Sequence, residues 1–252
     1  MNTQEALYNY CLRLGDNALI HAHRICEWCS NAPFIEEDLA LSNIALDLIG
    51  SAQCFLKYAA EIDGKGKTED DLAYRRSERQ YFNYLLVEQP NGDFANTMAR
   101  LLLMSAFDVY LFETLTTSKD EAIAAYAAKT LKEVKYHLAH ASDWVIRLGD
   151  GTEESKYRMQ KAINDLWLFS GELFEMDETD TILINEGIAC NLHDIKPKWQ
   201  NYISSVLEKA TLNLPEAIHM VKGGKNGLHT EYLGHILSEM QYLQRAYPEA
   251  KW

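Results

Sequence analysis

The stretch Lys132–His140, KEVKYHLAH, places Glu133 and His137 on one helical face, and Glu and His are the side chains with which helical bundles hold iron. In carboxylate-bridged di-iron bundles two helices each supply a Glu-x-x-His pair and two others supply one carboxylate apiece, all projecting inward. Here the residue three before His137 is Val134, and Glu133, one position earlier, would reach a shared metal from a different angle. The other pair is also broken. In ALDLIG, Asp47 stands for the glutamate and Gly50 falls where the histidine belongs. A hairpin turning near residue 33 sets Asp47 level with about residue 19, so Asp16 of RLGDN is expected within roughly one turn. In a second hairpin Val134 falls beside about residue 103, where Met104 is the nearest inward side chain and Asp108 the nearest carboxylate.

At most Asp16, Asp47, Asp108 and His137 therefore remain as ligands, and Gly50 and Val134 offer no donor atom. Four scattered ligands do not hold two irons with open positions and an ordered second shell. The expectation is a chain that binds no metal or cofactor. His137 then reads as a core histidine with Glu133 one turn back as a charge-assisted hydrogen-bond partner. Asp47, among Ala40, Asn43 and Ser51, needs a partner if buried, and a lysine or arginine replacing the metal's charge is expected.

Other constellations are weaker. Glu231, His235 and Glu239 recur at four-residue steps, but one helix closes no cage and a solvated stripe is the plainer reading. Cys26 and Cys29 have CxxC spacing without a second CxxC or a βαβ context, so packing cysteines are expected. Gly223, Gly224 and Gly227 are out of order for a phosphate loop and read as a connector between helices. No G-x-S-x-G occurs.

The elements that would carry these residues are helical almost throughout. A first helix runs from about Gln4 to Ser30, and a second starts near Glu36 and stops at DGKGK. A short helix is expected from Tyr74 to Val87, then long helices over about Phe94–Thr117 and Asp120–Leu148. The last of these carries Ala127, Leu131, Val134, Leu138, Ala141, Val145 and Leu148 at alternating steps of four and three. A fifth helix spans 153–175, residues 178–198 are irregular with room for a turn or two of strand, and further helices cover Lys198–Leu212 and Leu228–Tyr247. Two helical hairpins in about 4–148, with additional helices over about 153–247, imply an all-α protein: one four-helix-bundle domain over 1–252.

The 252 residues and 47% hydrophobic content suffice for a buried core, and a net charge of −13 opposes binding to nucleic acid or an anionic membrane. The N-terminus lacks a signal-peptide pattern, no run reaches the roughly 18 apolar residues of a membrane span, and five scattered cysteines suit a reducing cytoplasm.

Long ordered strings then become informative: LRLGDN at 12–17, DLALSNIALDLIG at 38–50, LLVEQPNGDFA at 85–95, KEVKYHL at 132–138 and GGKNGLHTEYLG at 223–234. Over nearly its full length the chain resembles the structural, C-type subunits of the phenylacetyl-CoA ring-1,2-epoxidases of bacterial aerobic phenylacetate catabolism. That resemblance implies a ferritin-like bundle without its di-iron site, in a hetero-oligomer with a homologous catalytic subunit that keeps the irons. The complex, fed electrons by a reductase subunit, would use NADPH and O2 to epoxidise the aromatic ring. Two rival readings are a metal-binding oxygenase in its own right and a freestanding helical adaptor.

Overall fold

A computed structural model describes residues 1–216 and 219–250. Among them eleven α-helices and no strand occur. The chain packs as two compact units, Met1–Pro90 with Gly223–Trp252, and Asn91–Lys222.

In the first unit α1 (Thr3–Cys26) and α2 (Ile35–Asp63) form an antiparallel hairpin. Asn2 and Glu5 start α1 with reciprocal side-chain to backbone hydrogen bonds of 2.8 and 3.0 Å, satisfying two amides that a helix N-terminus leaves open. No side chain caps α2, whose first turn instead carries Glu36, Glu37 and Asp38 against the helix dipole. α1 ends at Cys26 rather than Ser30, because the chain turns through 27–31 with Ser30 at φ 67°. Leu41, Ile44, Ala45, Leu48, Ala52 and Phe55 turn inward. At the crossing, a Cβ on Gly15 would lie 2.7 Å from the Leu56 side chain and 3.4 Å from its backbone nitrogen, so only glycine allows this approach.

α2 has a second apolar face as well. Its most apolar window has a mean hydropathy of 1.5, enough by length and composition for a membrane span, yet only 44% of that window is buried. No uninterrupted apolar run exists there. Leu39, Leu46 and Ile49 stand outside the core and raise the average instead.

The expected helix over Tyr74–Val87 is replaced by α3 (Glu69–Tyr74), a 3-10 turn at Glu78–Gln80 and α4 (Leu85–Glu88), with extended backbone between the last two. Side chains of α1 hold that extended piece: Phe82 N–H donates to Asp16 Oδ2 at 2.9 Å and Tyr84 N–H to Asn17 Oδ1 at 2.7 Å. Those amides are then unavailable to a helix.

The second unit contains α5 (Phe94–Leu115), α6 (Glu121–Gly149), α7 (Glu153–Trp167), α8 (Glu178–Asn185) and α9 (Leu192–Lys209). Asp93 and Asp120 cap α5 and α6 by accepting from Asn96 and Ile123 amides at 3.0 and 2.9 Å. Ala127, Val134, Leu138, Ala141 and Val145 of the predicted seam are buried. The fifth helix is shorter than expected, breaking after Trp167 into a 3-10 turn at Gly171–Phe174, and α8 occupies the stretch where strand was allowed for. Trp199 fastens this unit: its Nε1–H donates to Leu103 O at 2.9 Å while its ring stacks 5.5 Å from Trp167 and meets Phe174 edge-on at 5.2 Å.

The final segment returns to the first unit as a 3-10 turn at Gly224–Asn226, α10 (Glu231–Met240) and α11 (Tyr242–Ala246), two helices where one was expected. A Cβ on Gly224 would fall 2.1 Å from Asn83 O. The glycine run thus lets two backbones touch, in accord with a connector rather than an anion cradle.

Candidate functional site

Asp16 is fully buried on α1 and is paired with an arginine. The Arg76 guanidinium grips both carboxylate oxygens, with Nη1 3.0 Å from Oδ2 and Nη2 on Oδ1. Phe82 N–H adds a third donor. Arg76 is itself over-determined, donating to the carbonyls of Leu72 and Gln80 and lying 4.2 Å above the Tyr81 ring. Gln241 of the C-terminal segment donates to Arg76 O and Tyr81 Oη at 3.0 Å each. The result is a buried carboxylate whose charge is answered by a guanidinium and a backbone amide.

Asp47 is only half-buried, between exposed Leu46 and buried Leu48. It is not level with Asp16. The Gly15 contact places α1 opposite Leu56, roughly two turns past Asp47. The long turn over 27–34 shifts the hairpin register from the one a tight turn at residue 33 implies. Gly50 is half-buried on the same helix.

In the second unit Val134 and His137 are each 1% exposed on α6, and Met104 of α5 is buried as expected. Asp108 on α5 is half-buried, and none of the described residues donates a hydrogen bond to it. Burial pushes its carboxyl up to about 7. A carboxyl protonated in the native protein but ionised in the unfolded chain lowers stability as pH rises from its ordinary value toward 7. Asp108→Asn should therefore match the wild type at pH 4 and exceed it by about 2 kcal/mol at pH 8, a figure tempered because the side chain keeps some solvent contact. Urea midpoints at the two pH values check this.

A second buried carboxylate went unnoticed in the sequence. Glu88, fully buried at the end of α4, accepts at Oε1 from Thr230 N–H (2.6 Å) and Oγ1–H (2.8 Å), and at Oε2 from Asn83 Nδ2 (3.0 Å) and His229 Nδ1 (2.9 Å). Arg24 of α1 donates to its backbone carbonyl through Nε and Nη2 at 3.0 and 2.8 Å. His229 Nε2 lies 2.8 Å from Tyr81 O, so both ring nitrogens face acceptors, an arrangement only the imidazolium satisfies. Burial works against that charge, but the Glu88 hydrogen bond and charge and the Tyr81 carbonyl outweigh it, raising the His229 pKa. The stability this confers is complete below the unfolded histidine value of about 6.5 and is lost as pH rises through the higher native one. Urea midpoints measured from pH 6 to 9 should decline in the wild type above 6.5 and lose that component in His229→Gln.

The remaining candidates are bland. Glu231, His235 and Glu239 are all exposed on α10. Cys26 and Cys29 are free thiols at exposed positions, not the packing cysteines expected, because both lie where α1 gives way to the turn over 27–31; partial desolvation, then Cys29 and Glu27, push the Cys26 thiol up, away from the reactive thiolate. Among the described residues no group of three His, Cys, Asp or Glu side chains gathers as a metal site.

Three of the five strings that carry the resemblance contribute here: Asp16 and Asn17 from the first, Glu88 from the third, and His229 and Thr230 from the last. Comparison with known proteins agrees. Residues 1–252 match the family described as phenylacetic acid catabolic protein. The chain is 51% identical over 243 residues to the C-type subunit of the 1,2-phenylacetyl-CoA epoxidase of Escherichia coli (strain K12), covering 96% of this chain and 98% of that one.

Proposed function

Because the chain belongs to the phenylacetic acid catabolic protein family, we propose that it is the non-catalytic structural subunit of a 1,2-phenylacetyl-CoA epoxidase. It is an all-α, ferritin-like protein that pairs in the cytoplasm with a homologous di-iron subunit. The observation that carries this reading is the Arg76–Asp16 pair. A carboxylate on the first bundle helix has both oxygens committed to a guanidinium and an amide. Gly50 and Val134 offer no lone pair where a di-iron bundle places histidine and glutamate, and burial pushes the Asp108 carboxyl up to about 7. These residues do not fit two irons, so no chemical step is routed through this chain. Its contribution is a frame whose buried carboxylates Asp16 and Glu88 are internally satisfied, against which a metal-bearing sibling packs.

Two measurements test this. The chain expressed alone in iron-rich medium should purify with well under one iron per chain. Epoxidation of phenylacetyl-CoA should appear only when it is mixed with the catalytic subunit, reductase, NADPH and O2. Two tightly bound irons in the isolated chain, or turnover by it unaided, would overturn the proposal.

A further inference from the structure

The solvent side of α2 is apolar where a surface helix should be polar. Ile35, Leu39, Leu46 and Ile49 are 72, 61, 64 and 38% exposed, and Phe34 at the helix start is 58% exposed. With Ser42 these positions follow alternating steps of four and three, so they form one straight seam. It lies opposite the inward face of Leu41, Ile44, Leu48 and Phe55. The seam turns polar at Gln53, and Lys57 and Glu61 continue the exposed surface. Such a seam has the shape another helix fits, and a contiguous apolar patch on this scale marks an interaction surface.

The rim identifies the partner's chemistry. Between Phe34 and Leu56 there is no lysine or arginine, while Glu36, Asp38 and Asp47 flank the seam. A second copy docked in parallel would set each carboxylate beside its own equivalent. Docked antiparallel about Ser42, it would bring Asp47 of one copy to the Glu36–Asp38 turn of the other. Either arrangement sets like charges together at the edge of an apolar contact. A bilayer is a poor match for the same acidic rim. We propose that this seam docks a helix of the homologous di-iron subunit, one with an apolar stripe at three- and four-residue spacing flanked by lysine or arginine. The inference rests on the reading of the chain as an epoxidase subunit.

The test uses the full-length chain and the di-iron catalytic subunit, with affinity measured by titration and folding checked by circular dichroism. Leu39→Glu and Leu46→Glu, both at exposed positions, should weaken binding by about 100-fold. Glu36→Lys should weaken it by about 10-fold and flatten its salt dependence. Lys57→Glu, beyond the seam, should stay within about 2-fold of the wild type. Wild-type binding that Leu46→Glu leaves unchanged would overturn the docking seam while leaving the functional reading intact. Absence of wild-type binding would defeat that reading and the seam with it. A dimer of the isolated chain, or sedimentation with phosphatidylglycerol–phosphatidylcholine vesicles, abolished by Leu46→Glu, would assign the seam to a different occupant and overturn the proposal.

Discussion

Asp16→Ala is expected to destabilise the protein by about 3–5 kcal/mol, the usual cost of leaving one member of a buried ion pair without the other. The loss has two parts. Arg76, only 8% exposed in its side chain, keeps its charge but loses the one carboxylate it grips among the described residues, and Phe82 N–H loses its acceptor. The carbonyls of Leu72 and Gln80 still accept from the guanidinium, so the fold should survive in weakened form. Adding Arg76→Met to Asp16→Ala should recover about 1–3 kcal/mol, because an apolar chain of similar length has no charge to strand. Recovery should be incomplete, since the stacking on Tyr81 and the two carbonyl contacts are also lost. The shift in urea midpoint across the four members of this double-mutant cycle reads the coupling. An Asp16→Ala cost below about 1 kcal/mol would mean that the pair does not organise the interior.

The contrast between Arg76 and its neighbours shows where sequence reading stops. In YRRSER, Arg75, Arg76 and Arg79 look alike, and a run of that kind is ordinarily a solvated face. Arg75 and Arg79 are indeed exposed. Arg76 is buried by a partner on another helix, and no local pattern records that contact. The same holds for the extended backbone at 81–84, which the periodicity reads as helix until Asp16 and Asn17 claim its amides. Local regularity did reveal the long helices, because a seam such as Ala127–Val134–Leu138–Ala141–Val145 repeats at the helical period whatever it packs against. That Gly50 and Val134 carry no donor atom is read directly from their identity. Glu88 was hidden for the opposite reason. In LLVEQP it is one acidic residue in an apolar run, and its donors lie in a segment far along the chain.

That long-range closure makes Glu88 the other position of large expected effect. Its two oxygens take four hydrogen bonds without contact with solvent, so Glu88→Ala strands the Thr230 amide and hydroxyl, the Asn83 amide and a protonated His229 together. A cost of about 4 kcal/mol is expected. Glu88→Gln should cost about 2–3 kcal/mol, because the amide keeps one acceptor but turns N–H groups toward donors. The loss should fall first on the C-terminal segment, since both His229 and Thr230 hold it to the α4 region through this one side chain. Lys225, 7% exposed in the wild type, then becomes a reporter. Trypsin cleavage after Lys225 samples the locally open state, whose population should rise by about 100- to 1,000-fold in Glu88→Ala. Cleavage at the wild-type rate would show that the packing of α10 holds the segment without the carboxylate, and the buried Glu88–His229 pair would then be a consequence of the fold there and not its cause.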